Sequence, residues 1–160
     1  NLSTPVRALW SDAFLYLAYE CPYTELSVFS PVQKEERIGL WDNDVVEAFI
    51  APDPSKLTKY TEYEWAPNGE ALDLWLDLPK KDFPWSSRME FAVNIDEPAK
   101  VWRVEVRIPL ASISDSKPQS GTRWRANFYR YDRKHGTGLA FSPVLKPSFH
   151  TPERFGWLEF

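Results

Sequence analysis

In run after run of this chain the apolar residues recur at every second position, and Pro, Gly, Asn and Asp fall in the gaps between the runs. A period of two is the repeat of a strand with one face turned to a core, so the pattern predicts many short strands and almost no helix. Strands are expected near 5–10, 13–20, 44–51, 59–66, 70–77, 88–95, 100–108, 122–131, 138–142 and 155–160. The clearest run is Val101 to Ile108, where Trp102, Val104, Val106 and Ile108 would enter the core while Arg103, Glu105 and Arg107 point away. Met89, Phe91, Val93 and Ile95 alternate equally well and make its candidate partner. The 14 prolines divide the chain too often for long helices, and Pro109 to Ser114 offers one short helical turn. The expected fold is all-β: an antiparallel β-sandwich of two packed sheets, jelly-roll or immunoglobulin-like. Each sheet would have one buried and one wet face. The longest irregular stretches, 21–43, 78–87 and 142–154, are where recognition residues are expected.

With 160 residues, 43% hydrophobic, the chain is read as one domain spanning 1–160. Aromatics reach 16%, and the surplus either faces a ligand or packs a β-rich core. A net charge of −4 argues against nucleic acid, which needs a basic face. No apolar run approaches the roughly 20 residues of a membrane-spanning helix, so no membrane insertion is expected. Cys21 is the one cysteine, which excludes an internal disulfide and an all-cysteine metal site. A start at Asn1 reads as a mature or excised form, and Asn1-Leu2-Ser3 fits a glycosylation sequon that is most often chance.

The stretch richest in chemistry is Leu40-Trp41-Asp42-Asn43-Asp44-Val45-Val46-Glu47-Ala48-Phe49-Ile50. A tryptophan in a polar turn is followed by a strand bearing a carboxylate, and an aromatic platform beside a hydrogen-bonding acid is what a sugar site needs. Alternation puts Val46, Ala48 and Ile50 on one face and Val45, Glu47 and Phe49 on the other, so Glu47 should reach solvent or a groove. In the run 60–65 it puts Thr61, Tyr63 and Trp65 inward and Glu62 and Glu64 outward. If the two strands pair, Glu47 and Glu64 become neighbours. They would then be either the acid and base of a glycosidase or part of a polar face salt-bridged to Arg103, Arg107 or Arg125. On the run 123–131, Arg125, Asn127, Tyr129 and Tyr131 would share a polar face suited to sugar hydroxyls or to an ordinary sheet surface. His135 and His150 have no zinc spacing, and His150 reads as structural or hydrogen-bonding. Gly-x-Ser-x-Gly is absent. Asp42, Asp44 and Asp53 could offer oxygens to calcium but lack the EF-hand spacing.

Five blocks in order resemble family 9 carbohydrate-binding modules, in particular the bacterial family 9-like branch. They are Leu9-Trp10-Ser11-Asp12-Ala13-Phe14-Leu15-Tyr16, the run Trp41 to Ile50, Tyr63-Glu64-Trp65-Ala66-Pro67-Asn68-Gly69, the run Trp102 to Pro109, and Phe149-His150-Thr151-Pro152-Glu153-Arg154-Phe155-Gly156. The resemblance covers most of the chain and implies a β-sandwich that binds glycan ends in a slot between two aromatics. It places Trp41 at one wall, Phe149 at the other in place of a larger tryptophan, and Glu47 as an acid on the sugar. Glu64 and Ala66 stand where characterised members carry arginine and asparagine, and Asn127 and Tyr129 lie on a strand that could replace that polar network. It further implies that an N-terminal strand segment before Leu9-Trp10 is trimmed, that no cofactor is needed although structural calcium stays open, and that haem, held by Met or His in a related family, is disfavoured with Met89 on the core side. The expected function is non-catalytic binding of a carbohydrate ligand by Trp41, Glu47, Glu64, Asn127, Tyr129 and Phe149. The setting would be secreted, periplasmic or cell-surface, in the service of polysaccharide catabolism, with an attached catalytic domain or partner protein. The alternatives are a small glycoside hydrolase using Glu47 and Glu64, or a structural or interaction domain whose slot is filled by protein.

Overall fold

The computed structural model describes residues 2–160, so Asn1 of the sequon lies outside the described residues. In chain order the strands are β1 Val6–Trp10, β2 Phe14–Pro22, β3 Val45–Ala51, β4 Lys59–Trp65, β5 Ala71–Asp77, β6 Lys80–Asp82, β7 Glu90–Asp96 and β8 Val101–Pro109, then β9 Arg123–Asp132, β10 Thr137–Ala140 and β11 Gly156–Glu159. One helical turn, α1 Leu110–Ile113, follows β8, where Pro109 ends the strand, and 3-10 turns occupy Leu40–Asp42 and Pro152–Arg154. Each strand read from the alternation is present within a few residues, and the fold is the expected two-sheet antiparallel sandwich. The short β6 was not legible, because three charged residues in a row carry no alternation.

One sheet has the order β1-β2-β8-β7 and the other β10-β9-β3-β4-β5-β6, with β11 also pairing along β9. As expected, Phe91, Val93 and Ile95 pair with Val106, Val104 and Trp102 across β7 and β8. The core between the sheets takes Leu15, Leu17 and Tyr19 from β2 and Trp102, Val104 and Ile108 from β8. Against these lie Val46, Ala48 and Ile50 of β3, Tyr63 and Trp65 of β4, and Trp124 and Ala126 of β9. A fully buried side chain of this size contributes about 1.5–3 kcal/mol, so this layer dominates stability.

The larger sheet departs from the expectation of a wet outer face. Every residue of β3 is buried, because a second apolar layer covers the outside. Leu40, Val45, Phe49, Tyr60, Leu74, Leu76, Tyr129, Val144 and Phe155 form it, and Phe29 and Phe149 pack against its margin. The cover comes largely from the long irregular stretches, whose apolar residues show no period. These stretches leave a gap over part of the outer face.

Candidate functional site

The gap lies over the middle of β3 and β4. Antiparallel pairing sets Glu47 opposite Glu64 and Phe49 opposite Glu62, so the outward positions of two neighbouring strands bring three carboxylates together. Their oxygens approach within 4.8 Å of one another. They floor a cavity of about 420 Å³ whose walls include Trp41, Tyr131, Phe149, His150 and Lys81.

Each wall has a local cause. Gly39 takes a left-handed φ of 90° at the entry to the 3-10 turn, where a side chain would be strained. Leu40 plugs into the second apolar layer, and the next residue, Trp41, is left 38% exposed at the cavity. Phe149 lies flat on Tyr129, with ring centroids 4.2 Å apart and planes 9° from parallel, and the Tyr129 hydroxyl donates to the Phe149 carbonyl at 3.0 Å. A Cβ on Gly138 would stand 3.1 Å from the Phe149 ring, so the glycine in β10 makes room for this wall. His150 stacks on Phe49 at 5.2 Å. Lys81 Nζ donates to His150 Nε2 at 2.6 Å, and Nδ1 lies 2.6 Å from the Tyr60 hydroxyl. An ammonium has only protons to give, so Nε2 accepts and the ring proton sits on Nδ1, which donates to Tyr60. Burial, reinforced by the Lys81 charge, lowers the His150 pKa to about 4.

The floor is short of donors. Glu47 and Glu62 are 3% exposed and Glu64 is 0%, yet Glu62 Oε2 and both Glu64 oxygens accept from no N–H or hydroxyl of the protein. Burial drives all three pKa values up. Glu62 rises to about 7 despite a hydrogen bond shared with Glu64 and the opposing pull of Lys81. Glu47 is raised further by the Glu62 charge, and Glu64 by Glu47 and then Glu62. The salt-bridged reading of this face is corrected here. Arg103 pairs with Glu20 at 3.0 Å and Arg107 with Glu90 at 2.7 Å, both on the other sheet. Arg125 turns to the carbonyls of Gly156, Glu153 and Phe155. The cation that reaches the floor instead is Lys81.

The structure thus brings together Trp41, Glu47, Glu64 and Phe149 of the residues expected from sequence. Asn127 and Tyr129 lie beneath the cavity. The Asn127 amide donates to the Ser142 carbonyl and the Tyr129 hydroxyl, and its oxygen accepts from the Ser142 N–H. These two residues fasten the stretch that carries Phe149. Glu62, Lys81, Phe49, Tyr131, Pro147 and His150 complete the lining. Alternation already gave Glu62, which shares a face with Glu64, but nothing in the sequence ties Lys81 to the site. Asp42, Asp44 and Asp53 do not gather. Asp44 accepts the Ser27 and Arg133 N–H groups, and Asp53 caps Ser55. Among the described residues, Glu47, Glu62 and Glu64 are the one converging set of potential metal-ligating side chains.

The protein is a β-sandwich with an aromatic-lined cavity over one sheet. The profile of carbohydrate family 9 binding domain-like proteins matches residues 1–159, and the chain belongs to that family, whose modules are non-catalytic. It is 26% identical over 140 residues to an extracellular protein of Arthroderma benhamiae, covering 79% of the chain and 62% of that relative's length. Its fold is similar to a protein of Bacteroides uniformis to which carbohydrate binding is attributed, with a TM-score of 0.79, 20% identity and coverage of 98% and 78%. It is also similar to a family 9 module of Caldicellulosiruptor kristjanssonii in complex with glucose, with a TM-score of 0.70, 18% identity and coverage of 98% and 75%. A family 9 module of the same organism in complex with cellotriose gives 0.69 at 17% identity, covering 99% and 76%.

Proposed function

We propose that the chain holds a sugar in this cavity by stacking against Trp41 and Phe149, with its hydroxyls selected by Glu47, Glu62, Glu64, Lys81 and His150. The observation that carries the reading is one cavity lined by both aromatics and floored by buried carboxylate oxygens without N–H or hydroxyl donors. A sugar offers what both need, apolar C–H faces and many O–H donors. Trp41 is 38% exposed, which favours a ligand over a slot filled by the chain itself. A volume of about 420 Å³ suits one or two sugar rings. The relatives extend the reading to an extracellular setting and to glucose-containing glycans as first candidates.

A site open on one side should bind at micromolar to millimolar Kd, about −4 to −8 kcal/mol. Isothermal titration with mono- and disaccharides, each run in calcium and again in chelator, tests this. Saturable binding of at least one sugar is expected, and unchanged affinity in Trp41→Ala would remove that residue from the site.

A further inference from the structure

Most other buried carboxylates among the described residues have donors, although Asp73, held by Ser87 through Oδ2, leaves its Oδ1 without one. Glu70 accepts from the Gln33 N–H, Arg37 and Asn68. Asp44 accepts two backbone N–H groups, and Asp132 pairs with Arg130 and His135. The floor of the cavity is built otherwise. Three glutamates are more than nine-tenths buried, Glu62 Oε2 and both Glu64 oxygens have no N–H or hydroxyl donor, and the three residues line one cavity. No carboxylate among the described residues lies within ion-pair distance of Lys81, whose ammonium bonds His150. Buried charge of this kind is normally paired or bound to metal.

We propose that Glu47, Glu62 and Glu64 form a binding site for a divalent cation of the calcium type. The donor atoms lie within 4.8 Å of one another, the span of two oxygens on opposite sides of a calcium ion at about 2.4 Å each. The ligands are oxygens alone, with His150 Nε2 already engaged by Lys81, which favours calcium, magnesium or manganese over zinc or copper. Three carboxylates can give up to six oxygens, more than magnesium usually takes from protein, so calcium fits best. Charge balances as well: three carboxylates are neutralised by one divalent ion and Lys81, whereas a single ammonium from a ligand would leave one negative charge. The ion's remaining coordination positions face the cavity, open to water or to the hydroxyls of a sugar.

The site stands on the carboxylates and not on the sugar reading, so it is tested without sugar. Chelator-stripped protein is titrated with calcium chloride and, separately, with magnesium chloride. One calcium per chain is expected, at a Kd of roughly 10⁻⁵–10⁻³ M, with magnesium weaker and with a raised melting temperature. Glu62→Gln combined with Glu64→Gln should abolish binding, while Glu90→Gln on the other sheet should retain it. Terbium alone, added to the unmodified protein, should show emission excited through Trp41 and displaced by calcium, a readout independent of how the variants fold. Absence of calcium binding and of sensitised terbium emission would overturn the proposal. So would calcium binding that survives in the double variant, or saturation by glucosamine hydrochloride with no response to calcium, which would assign the floor to an ammonium-bearing sugar.

Discussion

Two buried glutamate neighbourhoods, one in the turn before β5 and one on β4, are handled in opposite ways. Glu70 is 2% exposed and Glu62 3%, so both are almost wholly removed from water. At Glu70 burial pushes the pKa up, but hydrogen bonds from Arg37, the Gln33 N–H and Asn68 outweigh it and the pKa falls below the ordinary value. At Glu62 burial meets no such set of donors, and the pKa climbs to about 7. The first arrangement is what a carboxylate needs in order to hold loops together. The second leaves lone pairs without donors beneath a cavity, which does nothing to hold the fold together.

The sharpest way to break this contrast is to strip the satisfied acid. Arg37→Ala leaves the charge of Glu70 buried with one cation fewer, and should cost about 3 kcal/mol, seen as a lower urea midpoint. Glu64→Gln, which neutralises an acid on the floor, should leave the metal-free protein at least as stable as before.

A pH series sharpens the same point. The folded pKa of Glu62, about 7, lies above its ordinary 4.5, so the folded state keeps a proton that the unfolded state gives up. That stabilisation is fully present below about 4.5 and is lost as pH rises through about 7. His150 works the other way, with a folded pKa of about 4 against 6.5. Its contribution is present above 6.5 and lost as pH falls through about 4. Between pH 6.5 and 8 the carboxylates therefore act without His150, and the melting temperature in chelator should decline across that window. Glu62 faces Glu47 from β3, Glu64 on its own strand, Lys81 from β6 and His150, so the slope belongs to the group. It should flatten in Glu62→Gln combined with Glu64→Gln.

Smaller effects fall on the walls. Trp41→Ala should weaken the best sugar about tenfold, some 1.4 kcal/mol, with little change in stability because the ring is partly exposed. Gly138→Ala sets a methyl 3.1 Å from Phe149 and should displace that ring, reducing affinity two- to threefold by titration.

The strands and the meeting of Glu47 with Glu64 were legible because period-two alternation fixes faces, and antiparallel pairing then fixes neighbours. The second apolar layer was not. Phe29, Leu40, Val144 and Phe155 sit in irregular stretches, where no period reports which way a side chain points. Asn127 and Tyr129 show the same blind spot. Their face was read correctly as the outward one, but what covers that face is set by chain some 15 to 20 residues further on. Lys81 was hidden by the brevity of its strand.

The grip of Asn127 on Ser142 has a consequence for how such a domain diversifies. Both halves of one amide hold the root of the stretch that ends in Phe149, while the carboxylates sit on a sheet that this stretch merely overhangs. The exposed residues 145–148 can be lengthened, shortened or exchanged from a fixed post. One side of the pocket can then be recut for a new ligand without disturbing the floor.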